Sequence, residues 1–398
     1  MKIAILCNEV KPVPAVKGGA VETLVDLLIK NNENYCSPID ITVYSKYDKK
    51  AEMSSKEIKN TNFKFIKYNS LYERVFTVAE RLLAKFRLQK FMFFILTHPY
   101  LINVTKELRK QKYDWIIVEN RPLYINYLRR YLKNDNIALH LHNDTINVEN
   151  SYSLKVIQLF DKVLSVSDYI SGRILQVCRD EDSYKILTLE NRINTNQFKP
   201  NQTYQSFLSE KYKFTHEDII LLYHGRIIPE KGVLELTKAF KQALKKNPDL
   251  KLVIIGELNE SDYVKDVRNE LNSLPPNKVI LTNYIEHSHL PKYLNGGDII
   301  ILPSLWSEPF GLTIVESMAV GKPIISTRVG AIPEILSDGC GVLVDVNEKL
   351  IDNLSNQILR ISNDKEYRLL LGKQAREKVV HNYDSKMYLS DLIHKLRD

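Results

Sequence analysis

DIIILPSLWSEPFGLTIVESMAVGKPIIST, residues 298–327, reads as a strand, a loop, a helix and a second strand. The run DIIIL is short, apolar and without alternation, the pattern of a strand buried on both faces. A helical pattern opens at Gly311, and KPIISTR (322–328) closes the unit with another buried run. Glu308 lies in the loop, and Glu316 stands eight positions on, inside the helix. That spacing, about two helical turns, makes both carboxylates face one cleft at the top of a strand. The first-turn amides of Gly311, Leu312 and Thr313 lack partners within the helix and can hold an anion. Carboxylates beside such a helix end suit a ligand that carries both phosphate and hydroxyl groups.

The same alternation extends over nearly the whole chain. KIAILCN (2–8), ITVYSK (41–46), FKFIKY (63–68), WIIVEN (115–120), IALHLH (137–142), KVLSVS (162–167) and YKILTLE (184–190) form a first set of strand-like runs. IILLYHG (219–225), KLVIIGE (251–257), KVILTNY (278–284), DIIILPS (298–304), KPIISTR (322–328) and CGVLVDV (340–346) form a second. Buried β runs separated by helical patterns predict parallel sheets covered on both faces. The expected fold is therefore α/β, with two doubly wound, Rossmann-like parallel-sheet domains joined by the polar stretch 199–216. The expected boundaries are 1–200 and 201–383, with the tail 384–398 returning to the first domain. Ligands of such sheets bind beyond the carboxyl ends of the strands, so the site is expected in the cleft between the domains.

Composition narrows the function classes. A chain of 398 residues with 44% hydrophobic residues is long for a single core. No apolar run reaches the roughly 18 residues needed to span a bilayer. KIAILCNE reads as a strand rather than a secretory leader, so a cytoplasmic protein is expected. Cys7, Cys36, Cys178 and Cys340 show no metal-like spacing and are expected as free thiols, mostly buried. The net charge of +8 favours an anionic ligand or surface. It is diffuse, and no nucleic-acid-binding motif accompanies it.

Residues 71–96, LYERVFTVAERLLAKFRLQKFMFFIL, interleave Arg74, Arg81, Lys85, Arg87 and Lys90 with large apolar residues. This basic amphipathic pattern fits two descriptions. One is a domain helix with a solvated basic face. The other is contact with an anionic membrane surface, which would place the protein peripherally on the inner face of the plasma membrane.

Two further stretches carry chemistry. In YHGRIIPEKG (223–232) a strand ends at Gly225, and Arg226 and Lys231 precede a helix running through VLELTKAFKQAL. Two cations at a strand–helix turn suit a diphosphate, Arg as a planar fork and Lys as a mobile point charge. In KPVPAVKGGAVETLVDLL (11–28) the pair Gly18–Gly19 sits at a helix entrance, where a ligand can approach the backbone closely. Taken with Glu308 and Glu316, these cations make a nucleotide sugar the expected ligand. Asp180–Glu181–Asp182 spells the D-x-D pattern of metal-dependent transferases, but it falls in a polar loop and is read as solvated.

These residues resemble the family-4 retaining glycosyltransferases of the GT-B fold. The resemblance rests on GGAVE (18–22), VSDYI (166–170), GRIIPEKG (225–232), the E-x7-E segment from Glu308 to Glu316, and GAIPEIL (330–336). It implies that Glu316 binds the nucleotide ribose and Glu308 the donor-sugar hydroxyls. Arg226 and Lys231 would neutralise the diphosphate. Phe310, the amides of Gly311, Leu312 and Thr313, and the Gly18–Gly19 turn would complete the donor pocket. His142 matches the family's active-site histidine; its other description is a satisfied strand-end histidine. His140 lies deeper on the same strand. Asn120 and Arg121 would touch acceptor or donor. No metal or other cofactor is implied. The acceptor would be a glycan or a lipid-linked sugar in bacterial surface-polysaccharide assembly. A phosphorylase-like or epimerase-like enzyme and a non-catalytic membrane-associated scaffold remain alternatives. The chain departs from the family at NRINTNQF (191–198), where Arg192 and Asn194 replace a usual glycine and aspartate.

Overall fold

A computed structural model describes residues 1–68, 98–258 and 260–397. The chain divides into two compact units, Met1–Arg192 with Ser385–Asp398, and Ile193–Asp384. The basic segment 71–96 lies outside the described residues. No helix among the described residues is long and apolar enough to cross a membrane.

The first unit is built on a seven-stranded sheet. Its strands are β1 (Lys2–Leu6), β2 (Asp40–Lys46), β3 (Thr61–Ile66), β4 (Trp115–Glu119), β5 (Ile137–Leu141), β6 (Lys162–Ser165) and β7 (Ile186–Thr188). Their order is β3-β2-β1-β4-β5-β6-β7, and every pairing is parallel. The order reverses direction between β1 and β4, which opens a crevice beyond their carboxyl ends. Ile3, Ala4, Ile5 and Leu6 of β1 are wholly buried, as a strand covered on both faces must be. The helix Ala20–Asn34 follows β1, and the last helix, Tyr388–Arg397, packs against it. Arg192 Nη2 ties that last helix down by donating to Asp391 at 2.7 Å.

The second unit carries a six-stranded parallel sheet. Its strands are β8 (Ile219–His224), β9 (Leu250–Ile255), β10 (Val279–Thr282), β11 (Ile299–Leu302), β12 (Ile324–Thr327) and β13 (Val342–Val344), in the order β10-β9-β8-β11-β12-β13. Here the reversal falls between β8 and β11. The helix Val233–Leu244 buries Val233, Leu236, Ala239, Phe240 and Ala243, spaced by three and four residues, and packs against the helix Leu350–Asn363. Burial of the Phe240 ring alone stabilises by roughly 1.5–3 kcal/mol. The polar stretch 199–216 contributes the helix Phe207–Tyr212 to this unit, where it packs on the helix Leu290–Gly296.

Two expectations need correction. Cys7 and Cys340 are buried, but Cys36 is exposed and Cys178 half-buried, so only two of the four free thiols are core residues. The Asp180–Asp182 stretch is solvated only in part. It forms a 3-10 turn, Asp180–Lys185, in which Asp180 and Glu181 are exposed but Asp182 is buried in an ion pair with Lys185 at 2.6 Å. An aspartate held this way supplies its partner's counter-charge.

Candidate active site

In the second unit the functional side chains come from the two loops that leave β8 and β11. After β8 the chain runs through Gly225 and exposed Arg226 to a 3-10 turn, Pro229–Lys231, and enters the helix at Gly232. Gly232 has φ 66, and a Cβ there would stand 2.1 Å from the Pro303 carbonyl oxygen. Only glycine lets the β8 loop lie this close to the β11 loop. The Leu305 amide then donates to the Glu230 carbonyl at 2.8 Å and joins the two loops.

That junction brings Lys231 and Glu308 together. Lys231 Nζ donates to Glu308 Oε1, and the Ser304 hydroxyl donates to the same oxygen at 2.6 Å. Glu308 is 6% exposed, so its charge is balanced by a partner rather than by water. Its backbone is fixed as well. The Ala331 amide donates to the Glu308 carbonyl at 2.9 Å, and Gly330, with φ 55, lies flat against it. A Cβ on Gly330 would stand 2.3 Å from the Glu308 carbonyl oxygen and 2.4 Å from its amide nitrogen. Trp306, partly exposed, has Lys231 Nζ 6.0 Å from its ring centroid. The Arg226 carbonyl accepts from the Tyr223 hydroxyl at 2.7 Å, while its exposed guanidinium fork makes no hydrogen bond or ion pair among the described residues and is open to an anion.

Glu316 lies in the helix Leu312–Ala319, which opens at Gly311 without a side-chain cap. His287 Nε2 meets Glu316 Oε1 at 2.6 Å, and that bond raises the His287 pKa against the opposing effect of partial burial. The second carboxylate oxygen is left for another donor. Behind it, the Ser317 hydroxyl donates to the Thr313 carbonyl at 2.7 Å and therefore accepts from His224 Nε2 at 2.8 Å. Burial holds His224 down to about 4, against the pull of Glu316. Phe310 is buried, its ring edge-on to Tyr383 at 5.7 Å.

In the first unit, Gly19 opens the helix Ala20–Asn34, again without a side-chain cap. Asn8, just past β1, donates to Glu22 in that helix at 2.9 Å. Arg121 is engaged rather than free. Its Nε and Nη2 grip Glu9 in a bidentate pair at 2.9 and 3.0 Å, and the Tyr124 hydroxyl donates to Glu9 at 2.5 Å. Asn120, at φ 53, accepts from the His142 amide at 3.1 Å and fixes the end of β5.

His142 itself turns toward the sheet. Its Nε2 lies 2.9 Å from Glu119 Oε2, and His140 Nδ1 lies 3.1 Å from the same oxygen. Burial would raise the Glu119 carboxyl, but the two histidines outweigh it and hold it at about 2. Burial, reinforced by the neighbouring His140, depresses His142 to about 4. Sequence reasoning missed Glu119, His224 and His287. The first two end apolar strand runs and read as strand termini. His287 lies in an irregular loop, and only its position across from Glu316 reveals it.

Residues 205–378 match the family described as "Glycosyl transferases group 1", a stretch that contains Arg226, Lys231, Glu308 and Glu316. The chain is 26% identical over 394 residues to "Putative glycosyltransferase YtcC" of Bacillus subtilis, covering 95% of this chain and 88% of that protein. It is 23% identical over 413 aligned positions to "Lipopolysaccharide 1,2-N-acetylglucosaminetransferase" of Salmonella typhimurium, covering 97% and 98% of the two chains. Among solved structures it resembles Anabaena HepE in complex with UDP-glucose, with a TM-score of 0.75, 18% identity and full coverage of both chains. The likeness to HepE shows the fold, which is GT-B. The two all-parallel sheets described above are the domain type of that fold.

Proposed function

We propose that the chain is a retaining, family-4-type glycosyltransferase that moves a hexosyl or deoxyhexosyl group from a nucleotide-diphosphate sugar to a glycan or lipid-linked acceptor in surface-polysaccharide assembly. The observation that carries the proposal is the junction of the β8 and β11 loops. It sets Lys231 against Glu308 at the crevice where the strand order reverses, with Arg226 exposed beside it. Relatives named for lipopolysaccharide sugar transfer support the polymer class.

Each residue then has a part. Arg226 and Lys231 bind the diphosphate and stabilise the charge that develops as it leaves, so that the reaction proceeds by positioning and electrostatics. The amides at Gly311, Leu312 and Thr313, and that at Gly19, offer donors to phosphate oxygens, with Gly18 shaping the turn beside them. Glu316, with one oxygen held by His287, receives a ribose hydroxyl. Glu308 orients the donor sugar, and Phe310 packs under its loop. His142 serves the transferred sugar, and Asn120, which fixes the end of β5, and Arg121 contact acceptor or donor. The two cations do the work a metal would do at the leaving group, so no metal is required there. The basic sequence at 71–96 is proposed to hold the enzyme on an anionic membrane surface.

The test is donor hydrolysis in the presence of EDTA, with a panel of UDP-, GDP-, ADP- and dTDP-sugars and release of nucleoside diphosphate as the readout. One donor should turn over with the chelator present, and Lys231→Ala should slow it by tenfold to a hundredfold. A strict requirement for added Mg2+ or Mn2+ would overturn the metal-free leaving-group assignment.

A further inference from the structure

The loop from Pro303 to Glu308, which leaves β11, is clamped on both sides of Trp306. Before Trp306, the Pro303 carbonyl lies against Gly232, and the Ser304 carbonyl accepts from the Thr327 hydroxyl. The Leu305 amide donates to the Glu230 carbonyl at 2.8 Å. After Trp306, Gly330 lies against the backbone, where a Cβ would stand 2.7 Å from the Ser307 carbonyl carbon. Pro303, Ser304 and Glu308 are buried, yet Trp306 between them is 39% exposed. A single exposed apolar residue is ordinary in itself. Here, however, a fixed backbone holds an indole in water, so a ligand that covers the ring gains its burial without first ordering the loop.

The position of the ring says what would cover it. Lys231 Nζ donates to Glu308 Oε1 and stands 6.0 Å from the centroid of the Trp306 ring. A cation, a carboxylate and an aromatic face therefore gather at one point of the second unit. A hexopyranosyl diphosphate carries the three complementary features. Its phosphates are anionic, its rim bears hydroxyl groups, and a face of its ring presents C–H groups. The indole face is electron-rich, and C–H groups beside oxygen carry partial positive charge, so the two attract as they leave water. A sugar whose phosphate reaches Lys231 and whose hydroxyls reach Glu308 lies within range of that face.

On the nucleotide-sugar reading above, we propose that Trp306 is the stacking platform for the glycosyl ring of the donor, and so a residue that selects among sugars. A ring that turns an axial hydroxyl toward the indole stacks less well than one that presents only C–H groups. The nucleotide and its phosphates are held by other residues, so Trp306 acts on the sugar alone.

The chain has two tryptophans, and Trp115→Phe leaves Trp306 as the only indole. Trp115 opens β4 at the amino end of the strand, with Lys162 Nζ 5.5 Å from its ring centroid. The experiment records indole emission and calorimetric binding in parallel on the full chain carrying Trp115→Phe. The probes are UDP-glucose, UDP-galactose, GDP-mannose, ADP-glucose and dTDP-glucose, each beside its own nucleoside diphosphate, and the methyl glycosides of the same sugars. At equal occupancy, a sugar nucleotide should change the Trp306 emission more than its nucleoside diphosphate does. In otherwise wild-type protein, Trp306→Ala should weaken that sugar nucleotide roughly three- to tenfold and the nucleoside diphosphate by no more than about twofold. Trp306→Phe should recover part of the loss. Circular dichroism identifies any variant that does not fold, and the emission measurement leaves the loop unaltered. A sugar nucleotide that binds without moving the Trp306 emission, or equal losses for the two ligands in Trp306→Ala, would overturn the platform and leave the nucleotide-sugar reading standing. A response to methyl glycosides alone would assign the ring to the acceptor and overturn it too. Binding of no nucleotide at all would remove the nucleotide-sugar reading and the platform together.

Discussion

Lys231 and Glu308 are 77 residues apart in sequence, and their pairing depends on two glycines that lie between and beyond them. Gly232 lets the two loops touch, and Gly330 lets the backbone of Glu308 be gripped from below. Gly330→Ala should therefore displace Glu308 without touching any charged group. A non-glycine residue at positive φ in a packed turn costs about 1–3 kcal/mol. Urea unfolding should report that loss, and donor binding should fall further than for Gly172→Ala, where a Cβ meets nothing within 4 Å. Unchanged stability and binding in Gly330→Ala would show that the loop adjusts freely. The sequence motif GAIPEIL marks this glycine but not its task. Which backbone it supports follows only from the fold, because the contact is made by main-chain atoms that carry no sequence signal.

At the scale of elements, the strands were the most legible feature. Continuous apolar runs such as DIIIL and KLVII can only be buried on both faces, and every one of them became a strand of a parallel sheet. The polar residues at their carboxyl ends were legible in part. Arg226, Lys231 and Glu308 could be singled out because they lie in loops with glycine, and Glu316 because it lies in the helix that such a loop opens, whereas Glu119 and His224 close apolar runs and look like strand ends. Those buried strand-end groups govern the pH response. His142 and His224 titrate near 4 in the fold and near 6.5 when unfolded. Between those values the unfolded chain binds the extra protons. The stability these groups contribute is present above pH 6.5 and is lost as the pH falls toward 4. Each group accounts for up to roughly 3 kcal/mol. His287 acts in the opposite sense. Its raised pKa contributes stability at low pH that disappears as the pH rises through the folded value. It is half exposed, so the net slope follows the buried pair. Denaturant unfolding from pH 7.5 to 4.5 should show a steep loss on the acid side, and His224→Gln should flatten it. A flat profile in wild type would contradict the buried, neutral histidines.

For the whole molecule, the proposed nucleotide site belongs to the second unit and the proposed membrane contact to the sequence at 71–96. The membrane assignment predicts sedimentation with anionic liposomes at low salt and release at high salt, since each Lys or Arg near such a surface is worth about 1 kcal/mol. Replacing Arg81, Lys85 and Arg87 by Glu should abolish it, and absence of binding at low salt would leave a domain helix as the description. The central claim, however, is that the β8–β11 junction binds a diphosphate. Calorimetric titration of a nucleoside diphosphate and its bare nucleoside against wild type, Arg226→Ala and Lys231→Ala tests it most directly. A thermal-shift panel of UDP, GDP, ADP and dTDP first identifies the base. Each substitution should weaken the diphosphate by roughly 1.5–3 kcal/mol, the worth of a charge-assisted bond, while the nucleoside is nearly unaffected. Equal losses for the two ligands, or none for either, would contradict the assignment.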